Sequence, residues 1–127
     1  MTAPARHFDI VLVGGGLSAG LIALALARYR PDVSVAIVEQ GAAFGGNHTW
    51  SSFASDLSPE GAELVAPIIA HRWPSYEIRF PSFSRELHSG YQSAFSHKLH
   101  DALVAAFPSD ALFLGTPVAA VTPTGVT

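Results

Sequence analysis

The sequence predicts an α/β fold in which an incomplete parallel sheet is joined by a small antiparallel β insert. Three observations support this prediction. The apolar run Phe8–Val13 ends in three glycines, and the helix-forming run Leu21–Arg30 follows it. A second apolar run, Val33–Val38, ends in Glu39. Further on, polar and apolar residues alternate over Tyr76–Phe80, as in a half-exposed strand. The first two runs should form parallel strands, because a helix crosses between them.

The glycines have the spacing of a dinucleotide-binding fingerprint, Gly14-x-Gly16-x-x-Ala19. Gly14 allows a sharp turn out of the strand, Gly16 allows close approach to a pyrophosphate, and Ala19 is small enough for the helix to pack closely. Glu39 follows about 20 residues on, where an acid accepts hydrogen bonds from ribose hydroxyls. The pattern predicts a Rossmann-like, FAD- or NAD(P)-binding parallel sheet. A glycine-rich turn without a ligand is the alternative.

Composition excludes several classes of protein. With 127 residues and 49% hydrophobic content, the chain can form one folded domain. Charged residues make up only 13%, so a membrane surface, an apolar substrate or further chain should cover part of the surface. The net charge of −3 and the scattered basic residues argue against nucleic-acid binding. The absence of cysteine excludes disulfides, thiolate metal sites and thiol nucleophiles.

The second informative stretch is Gly41–Ser52, which we interpret as a loop beside the ligand. Gly45 and Gly46 should bring the backbone close to another group. A loop after the carboxyl end of a parallel strand lies on the ligand side of the sheet. Five hydrogen-bonding side chains follow the glycines: Asn47, His48, Thr49, Trp50 and Ser51. The alternative is a surface loop stabilised by local side-chain bonds.

Three helices are predicted, at about Leu17–Arg30, Ser58–Ile69 and Ala94–Phe107. The second has Ser58 as its N-cap, and Pro67 should kink or divide it. The third carries His97 and His100 at i, i+3, which we interpret as a solvated face. Met1–His7 should be a short frayed lead.

The strand predictions complete the fold. The first strand should be buried on both faces, like other parallel strands. Tyr76–Phe80 should pair with Ser84–Tyr91 through the connection Pro81–Phe83, as a hairpin insert at about residues 75–91 on the substrate side. Leu112–Leu114 and Val118–Val121 should form an interrupted strand. Two or three parallel strands are too few for a doubly wound dinucleotide-binding fold, so we expect residues 1–127 to be the N-terminal part of a longer enzyme.

Two motifs resemble one family. VGGGLSAGLIAL at Val13–Leu24 and GGNHTWS at Gly45–Ser51 resemble the bacterial lycopene β-cyclases of the flavin-containing lycopene cyclase group. The later stretches HRWPSYEIRFP and SGYQSAF are similar to the same family in the same order. The first motif is shared with many flavoproteins, whereas GGNHTW is more specific.

The resemblance implies an FAD-requiring isomerase-type enzyme that cyclises the ends of lycopene to β-ionone rings without net redox change. It implies reduced FAD, NAD(P)H as the electron source, linear carotenoid substrates and a cytoplasmic location peripheral to the membrane. The fingerprint residues and the loop glycines would hold FAD, with three polar residues near the flavin or substrate. The implied cofactor-binding residues are Gly14, Gly15, Gly16, Ala19, Gly20, Glu39, Gly45, Gly46, His48, Thr49 and Trp50.

The family's catalytic acid is expected beyond Thr127. The nearby acids, Glu60, Glu63, Glu77 and Glu86, occupy positions typical of exposed faces. This stretch alone should therefore be inactive. Two alternatives remain open. One is a redox FAD-dependent oxidoreductase, either a monooxygenase or an enzyme similar to carotenoid desaturases. The other is a non-catalytic nucleotide-binding module.

Overall fold

The computed structural model describes residues 5–127, so the predicted frayed lead Met1–His7 lies mostly outside the described residues. Short 3-10 turns follow β3, α2 and α3. The helices and strands, in chain order, are β1 Ile10–Val13, α1 Leu17–Tyr29, β2 Val35–Val38, β3 Thr49–Phe53, α2 Pro59–Val65, β4 Ile69–Trp73, β5 Tyr76–Phe80, β6 Phe83–Leu87, β7 Tyr91–Phe95, α3 Ser96–Ala106, β8 Leu112–Phe113, β9 Val121–Thr122 and β10 Gly125–Val126.

A three-stranded parallel sheet has the order β1-β2-β8. Strands β1 and β2 pair from Ile10 opposite Val35 to Val13 opposite Val38, with α1 as the crossover. The predicted α/β class and parallel pair are confirmed. The expectation that β1 is buried on both faces is wrong, because Val11 and Val13 are 37% and 45% exposed. All four residues of the central strand β2 are buried, whereas Val11 lines an open cavity together with Val118 and Val126.

A second sheet is antiparallel, with β7 between β3 and β4. Phe53 and Trp73 both lie opposite Tyr91, and a bulge lies between Ile69 and His71. This sheet corrects three predicted boundaries. The Gly41–Ser52 loop ends in strand β3, and the second helix does not reach Ile69. The third helix begins at Ser96, because the preceding residues pair in β7.

Helix α2 begins as predicted and ends earlier. The Ser58 hydroxyl accepts a hydrogen bond from the Gly61 N–H at 3.1 Å, with Pro59 at the first helical position. The helix ends at Val65, and a 3-10 turn over Ala66–Ile68 leads into β4. Pro67 explains this early end, because its ring and missing N–H cannot continue an α-helix.

The predicted hairpin is present with a shorter second strand. Strands β5 and β6 pair from Tyr76 opposite Leu87 to Phe80 opposite Phe83, leaving two residues in the connection. The predicted strand Ser84–Tyr91 is too long, because Tyr91 belongs to β7. The predicted interrupted strand is also wrong at its second half, where β9 and β10 form a small hairpin.

The core lies where α1 and α3 pack between the two sheets. Leu99 and Leu103 of α3 are fully buried. A Cβ atom at Gly20 of α1 would lie 2.7 Å from Leu99, so the helices are in close contact there. Both sheets contribute to the same cluster, with Ile37 from β2 and Ala94 from β7. Helix α3 therefore fixes the antiparallel sheet relative to the parallel one.

Candidate functional site

The first glycine loop turns the chain from β1 into α1. Gly14 has φ +88°, a left-handed conformation that favours glycine, and its N–H donates to the Val38 carbonyl at 2.7 Å. Gly16 is the N-cap of α1 and has no side-chain cap. A Cβ atom there would meet nothing within 4 Å. The loop therefore leaves open space at a helix N-terminus, where free N–H groups favour phosphate.

Glu39 follows β2 and joins two loops through its carboxylate. Its Oε2 accepts a hydrogen bond from the Gly15 N–H and its Oε1 accepts one from the Gly41 N–H, both at 2.6 Å. The residue is half-buried. Each carboxylate oxygen has a second acceptor position. Glu39 can therefore hold the loops in place and still accept hydrogen bonds from a ribose.

A cleft of about 260 Å³ lies at the carboxyl ends of β1 and β2. Its walls include Val13, Gly14, Val38 and Glu39, with Thr116 on the side of β8. Walls that combine apolar side chains with polar groups, one of them a carboxylate, fit a ribose with its attached base. The open space at Gly16 fits a pyrophosphate. The residues present therefore suit the ADP half of a dinucleotide.

The second glycine loop packs directly on the first. The Gly45 N–H donates to the Gly15 carbonyl at 2.7 Å. Gly45 and Gly46 have φ +82° and +60°, and a Cβ atom at Gly45 would lie 2.9 Å from the Ser96 carbonyl oxygen. Beneath them Phe44 is fully buried, 2.5 Å from where a Cβ of Gly15 would lie. The close contact of the two loops therefore requires glycine at Gly15 and Gly45.

Helix α3 anchors the second loop. The Phe44 N–H donates to Nδ1 of His100 at 3.2 Å, and their rings lie 5.7 Å apart. The Ser96 hydroxyl accepts from the His48 N–H at 3.3 Å, and the Ser96 N–H donates to the His48 carbonyl at 3.1 Å. The interpretation of a solvated His97/His100 face is wrong for His100, which is half-buried. The spacing of Ser96 and His100, one helical turn apart, is the one sequence signal that could have paired them.

The remaining predicted site residues are more dispersed. His48 and Thr49 are exposed, and the His48 ring lies 5.8 Å from the ring of Trp50. Trp50 packs against the buried cluster. Ala19 is half-buried in the first turns of α1, whereas the close helix contact is made by Gly20. The structure therefore brings the glycines and Glu39 together and directs Trp50 towards the core.

The carboxylates considered as catalytic acids are all exposed, as predicted. Glu63 pairs with Arg28, and Glu77 pairs with Arg79 at 2.7 Å. Hydrogen bonds from its own backbone N–H and from Ser58 lower the pKa of Glu60, so this carboxyl group holds its proton less readily than a free one. Within residues 5–127, no group of three or more histidine or carboxylate side chains could hold a metal ion.

The parallel sheet, crossover helix and glycine turn define a Rossmann-like α/β protein. The crystal structure of 2-methyl-3-hydroxypyridine-5-carboxylic acid oxygenase has a similar fold, with a TM-score of 0.65 and 20% identity. The match covers 96% of this chain and 35% of that one.

Sequence similarity identifies the protein family more specifically than the fold does. The model of the lycopene cyclase protein family matches residues 9–127, and the chain belongs to this family. The lycopene beta-cyclase of Pantoea ananas is 40% identical over 115 residues, and that of Pseudescherichia vulneris is 42% identical over 118. These alignments cover 91% and 93% of this chain, which spans 30% of each relative's length.

Proposed function

We propose that this chain carries the ADP-binding part of an FAD-dependent lycopene β-cyclase. The observation that carries the proposal is the contact between the two glycine loops beside Glu39, in a chain that belongs to the lycopene cyclase family. The relatives named lycopene beta-cyclase support the substrate and the reaction. The complete protein would close the linear ends of lycopene into β-ionone rings.

The two glycine loops, the N-terminus of α1 and Glu39 form what we call the cradle, and each part has a role in this proposal. Gly16 and the N-terminus of α1 hold the pyrophosphate, and Glu39 accepts hydrogen bonds from the ribose. Gly45 and Gly46 allow the main chain to approach the cofactor, with His48 and Thr49 exposed at the rim. Ala19 and Gly20 set the position of α1, because Gly20 packs against Leu99. When bound, reduced FAD, with NAD(P)H as its electron source, supplies negative charge near a developing cation.

The reaction requires that the substrate gains one proton and later loses one, with no net oxidation. A carboxylic acid protonates a double bond of the linear end group, the carbocation closes a six-membered ring, and a neighbouring carbon loses a proton. The exposed positions of Glu60, Glu63, Glu77 and Glu86 suit none of them to this role, because a catalytic acid must meet an apolar end group in a site that excludes water. We therefore assign the acid to the part of the protein outside residues 5–127.

Lycopene conversion by the complete gene product tests the proposal. We expect cyclised product when the protein carries reduced FAD, without stoichiometric consumption of NAD(P)H. An oxidised product formed with one NAD(P)H per turnover would overturn it in favour of a redox flavoenzyme. Nucleotide binding without any conversion would support a binding module instead.

A single methyl group tests the cradle itself. Gly16→Ala places a Cβ in the open space at the start of α1, where φ is −76° and alanine causes no strain. We expect FAD affinity to fall at least about tenfold with the melting temperature unchanged. Gly61→Ala in α2 is the control, because its Cβ also has room, 3.5 Å from Ser58. Equal FAD affinity in both variants would contradict the assignment.

We also propose that the protein binds the membrane surface peripherally. Within residues 5–127, no helix has the length and apolar character needed to cross a bilayer. The tip of the β5–β6 hairpin is instead apolar and exposed, with Phe80 at 62% and Phe83 at 56%. Ile78 lies on the same face. An exposed aromatic tip gains free energy by entering the boundary between lipid headgroups and acyl chains.

Cosedimentation of the complete gene product with phosphatidylcholine and phosphatidylglycerol vesicles tests this surface. The double variant Phe80→Ser, Phe83→Ser should lower vesicle affinity at least about tenfold, because two aromatic side chains no longer enter the lipid. Val104→Ser, at a 50% exposed position of α3, is the control and should bind like the parent. Unchanged binding of the double variant would contradict the proposal.

A further inference from the structure

The antiparallel sheet has one packed face and one open face. Side chains alternate along each strand, so Trp50, Ile69 and Ala94 share the face that packs on the buried cluster. Ser51, Phe53 and Tyr91 lie on the opposite face. Phe53 is 36% exposed there, and Trp73 beside it is 43% exposed. Tyr76 of β5 packs against one end of this face, and Phe53 and Trp73 remain partly exposed to solvent.

Six rings on and beside the open face form a continuous series, which we call the aromatic row: Phe95, His71, Trp73, Tyr91, Phe53 and Tyr76. Along the row, the centroid distances are 5.5 Å from Phe95 to His71, 5.7 Å from His71 to Trp73 and 6.0 Å from Trp73 to Tyr91. Phe53 lies 5.5 Å from Tyr91, and Tyr76 lies 5.6 Å from Phe53. No ring in the row is therefore isolated from the next.

The side chains of the open face favour an uncharged ligand. Beside the row, the hydroxyls of Ser51 and Ser93 bond each other at 3.0 Å. Arg72 and Gln92 lie on the other face, because they alternate with His71 and Tyr91. The strands β3, β4 and β7 place no Asp, Glu, Lys or Arg on the open face. A surface of rings and mutually bonded hydroxyls favours an uncharged, apolar partner.

The row connects the two surfaces already described. At one end, Phe95 immediately precedes Ser96, which anchors the second glycine loop through His48. At the other end, Tyr76 begins β5, whose far end is the exposed tip at Phe80. Tyr76 and Phe80 lie on the same face of the hairpin, because they are four positions apart in one strand. The aromatic row therefore lies between the hairpin that carries the exposed tip and the helix start that anchors the second glycine loop.

We infer that the aromatic row binds the extended unsaturated hydrocarbon chain of the substrate while its end group lies at the proposed cofactor site. This inference rests on the proposed function and assigns the substrate chain to named residues. A five-residue strand spans about 13 Å, so the row can contact a long stretch of a linear polyene. Flat conjugated chains gain dispersion energy against ring faces, and the absence of charges avoids a desolvation cost.

Trp73 offers the sharpest test, because it is a large and exposed member of the row. In the complete gene product, Trp73→Ala should raise the KM for lycopene about tenfold and leave the FAD content and melting temperature unchanged. Trp73→Phe keeps a ring and should restore most of the affinity. Tyr29→Ala removes an aromatic ring that is 54% exposed at the end of α1, outside the row, and is the matched control.

A binding measurement separates this inference from the proposed reaction. Lycopene is achiral, so its visible circular dichroism appears only when a chiral site holds it. We expect this signal with the parent protein and its loss with Trp73→Ala, even if no cyclised product forms. If the parent protein shows the dichroism signal but forms no cyclised product, the proposed function is overturned and the aromatic row is not. An unchanged KM and dichroism in Trp73→Ala, or unfolding of that variant in place of a binding defect, would overturn the aromatic row.

Discussion

The two sheets of the molecule share a core and differ in how they present a surface. Around the parallel sheet, contacts are made by the main chain, and the Gly45 N–H meets the Gly15 carbonyl at 2.7 Å. Around the antiparallel sheet, contacts are made by side chains, such as Trp73 and Tyr91 at 6.0 Å. A main-chain site is sensitive to a single methyl group. A side-chain surface loses affinity in steps, as each ring is removed.

The largest effect should come from the main-chain side. Gly45→Ala combines a positive φ with a Cβ atom 2.9 Å from the Ser96 carbonyl oxygen, which cannot move away without shifting α3. We expect a loss of about 3 kcal/mol in the free energy of unfolding, measured by urea unfolding of the purified protein. Gly46→Ala is the control at about 1 kcal/mol, because its Cβ meets only the His48 ring at 3.4 Å. Equal losses in the two variants would contradict the close contact with Ser96.

A smaller effect should come from the junction between the two regions. His100→Ala removes the acceptor for the half-buried Phe44 N–H, which should cost about 1.5 kcal/mol in unfolding free energy. It should also weaken FAD binding, because Phe44 supports the second glycine loop. The exposed neighbour His97→Ala should leave both quantities unchanged. A His100→Ala protein as stable as the parent would show that α3 does not hold the loop.

The open sheet face should tolerate change. Phe53→Ala removes a ring that is 36% exposed and touches Tyr76 and Tyr91. Because about a third of the residue is already in water, the loss in unfolding free energy should be only about 1 kcal/mol. Lycopene dichroism should nevertheless fall. A loss as large as that of Gly45→Ala would remove the contrast between the two regions.

The smallest effect concerns pH at the start of the parallel sheet. The Asp9 carboxylate accepts hydrogen bonds from the Ser34 N–H and hydroxyl at 2.8 and 2.7 Å, which holds its pKa below the ordinary 3.8. This stabilisation is complete above that ordinary value and is lost as the pH falls through the lower folded pKa. Asp9→Asn should therefore reduce the melting temperature slightly at pH 7. The difference from the parent should shrink as the pH falls below 3.8 and through the lower folded pKa, and a constant difference would contradict this origin.

Local patterns were sufficient to predict the parallel part of the fold. Gly14 and Gly16 stand between two apolar runs, and the helix between the runs requires parallel strands. The antiparallel sheet was predicted less well, because β3 and β4 lack clean alternation and pair with β7 about 40 and 20 residues away. Helical spacing also continues backwards through Ala94 and Phe95, which hid the strand before α3.

The candidate site also combines contacts that local spacing predicts with contacts between residues far apart in the chain. Glu39 was found because its distance from the glycines is fixed by one βαβ unit. His100 was missed because its partner Phe44 is 56 residues away and no local pattern joins them. The exposure of β1 was also missed, because apolar composition cannot tell which element covers a face.

The anchoring of the second glycine loop by Ser96 and His100 has a consequence during synthesis on the ribosome. The first glycine loop and Glu39 lie within the first third of this chain, yet the loop that packs on them depends on α3, which ends at Ala106. When only β1, α1 and β2 of a nascent chain have emerged from the ribosome, the contact between the two glycine loops cannot form. Under the proposed function, FAD capture therefore waits until the antiparallel sheet has formed, and a ribosome stalled before α3 should carry a chain that retains no flavin.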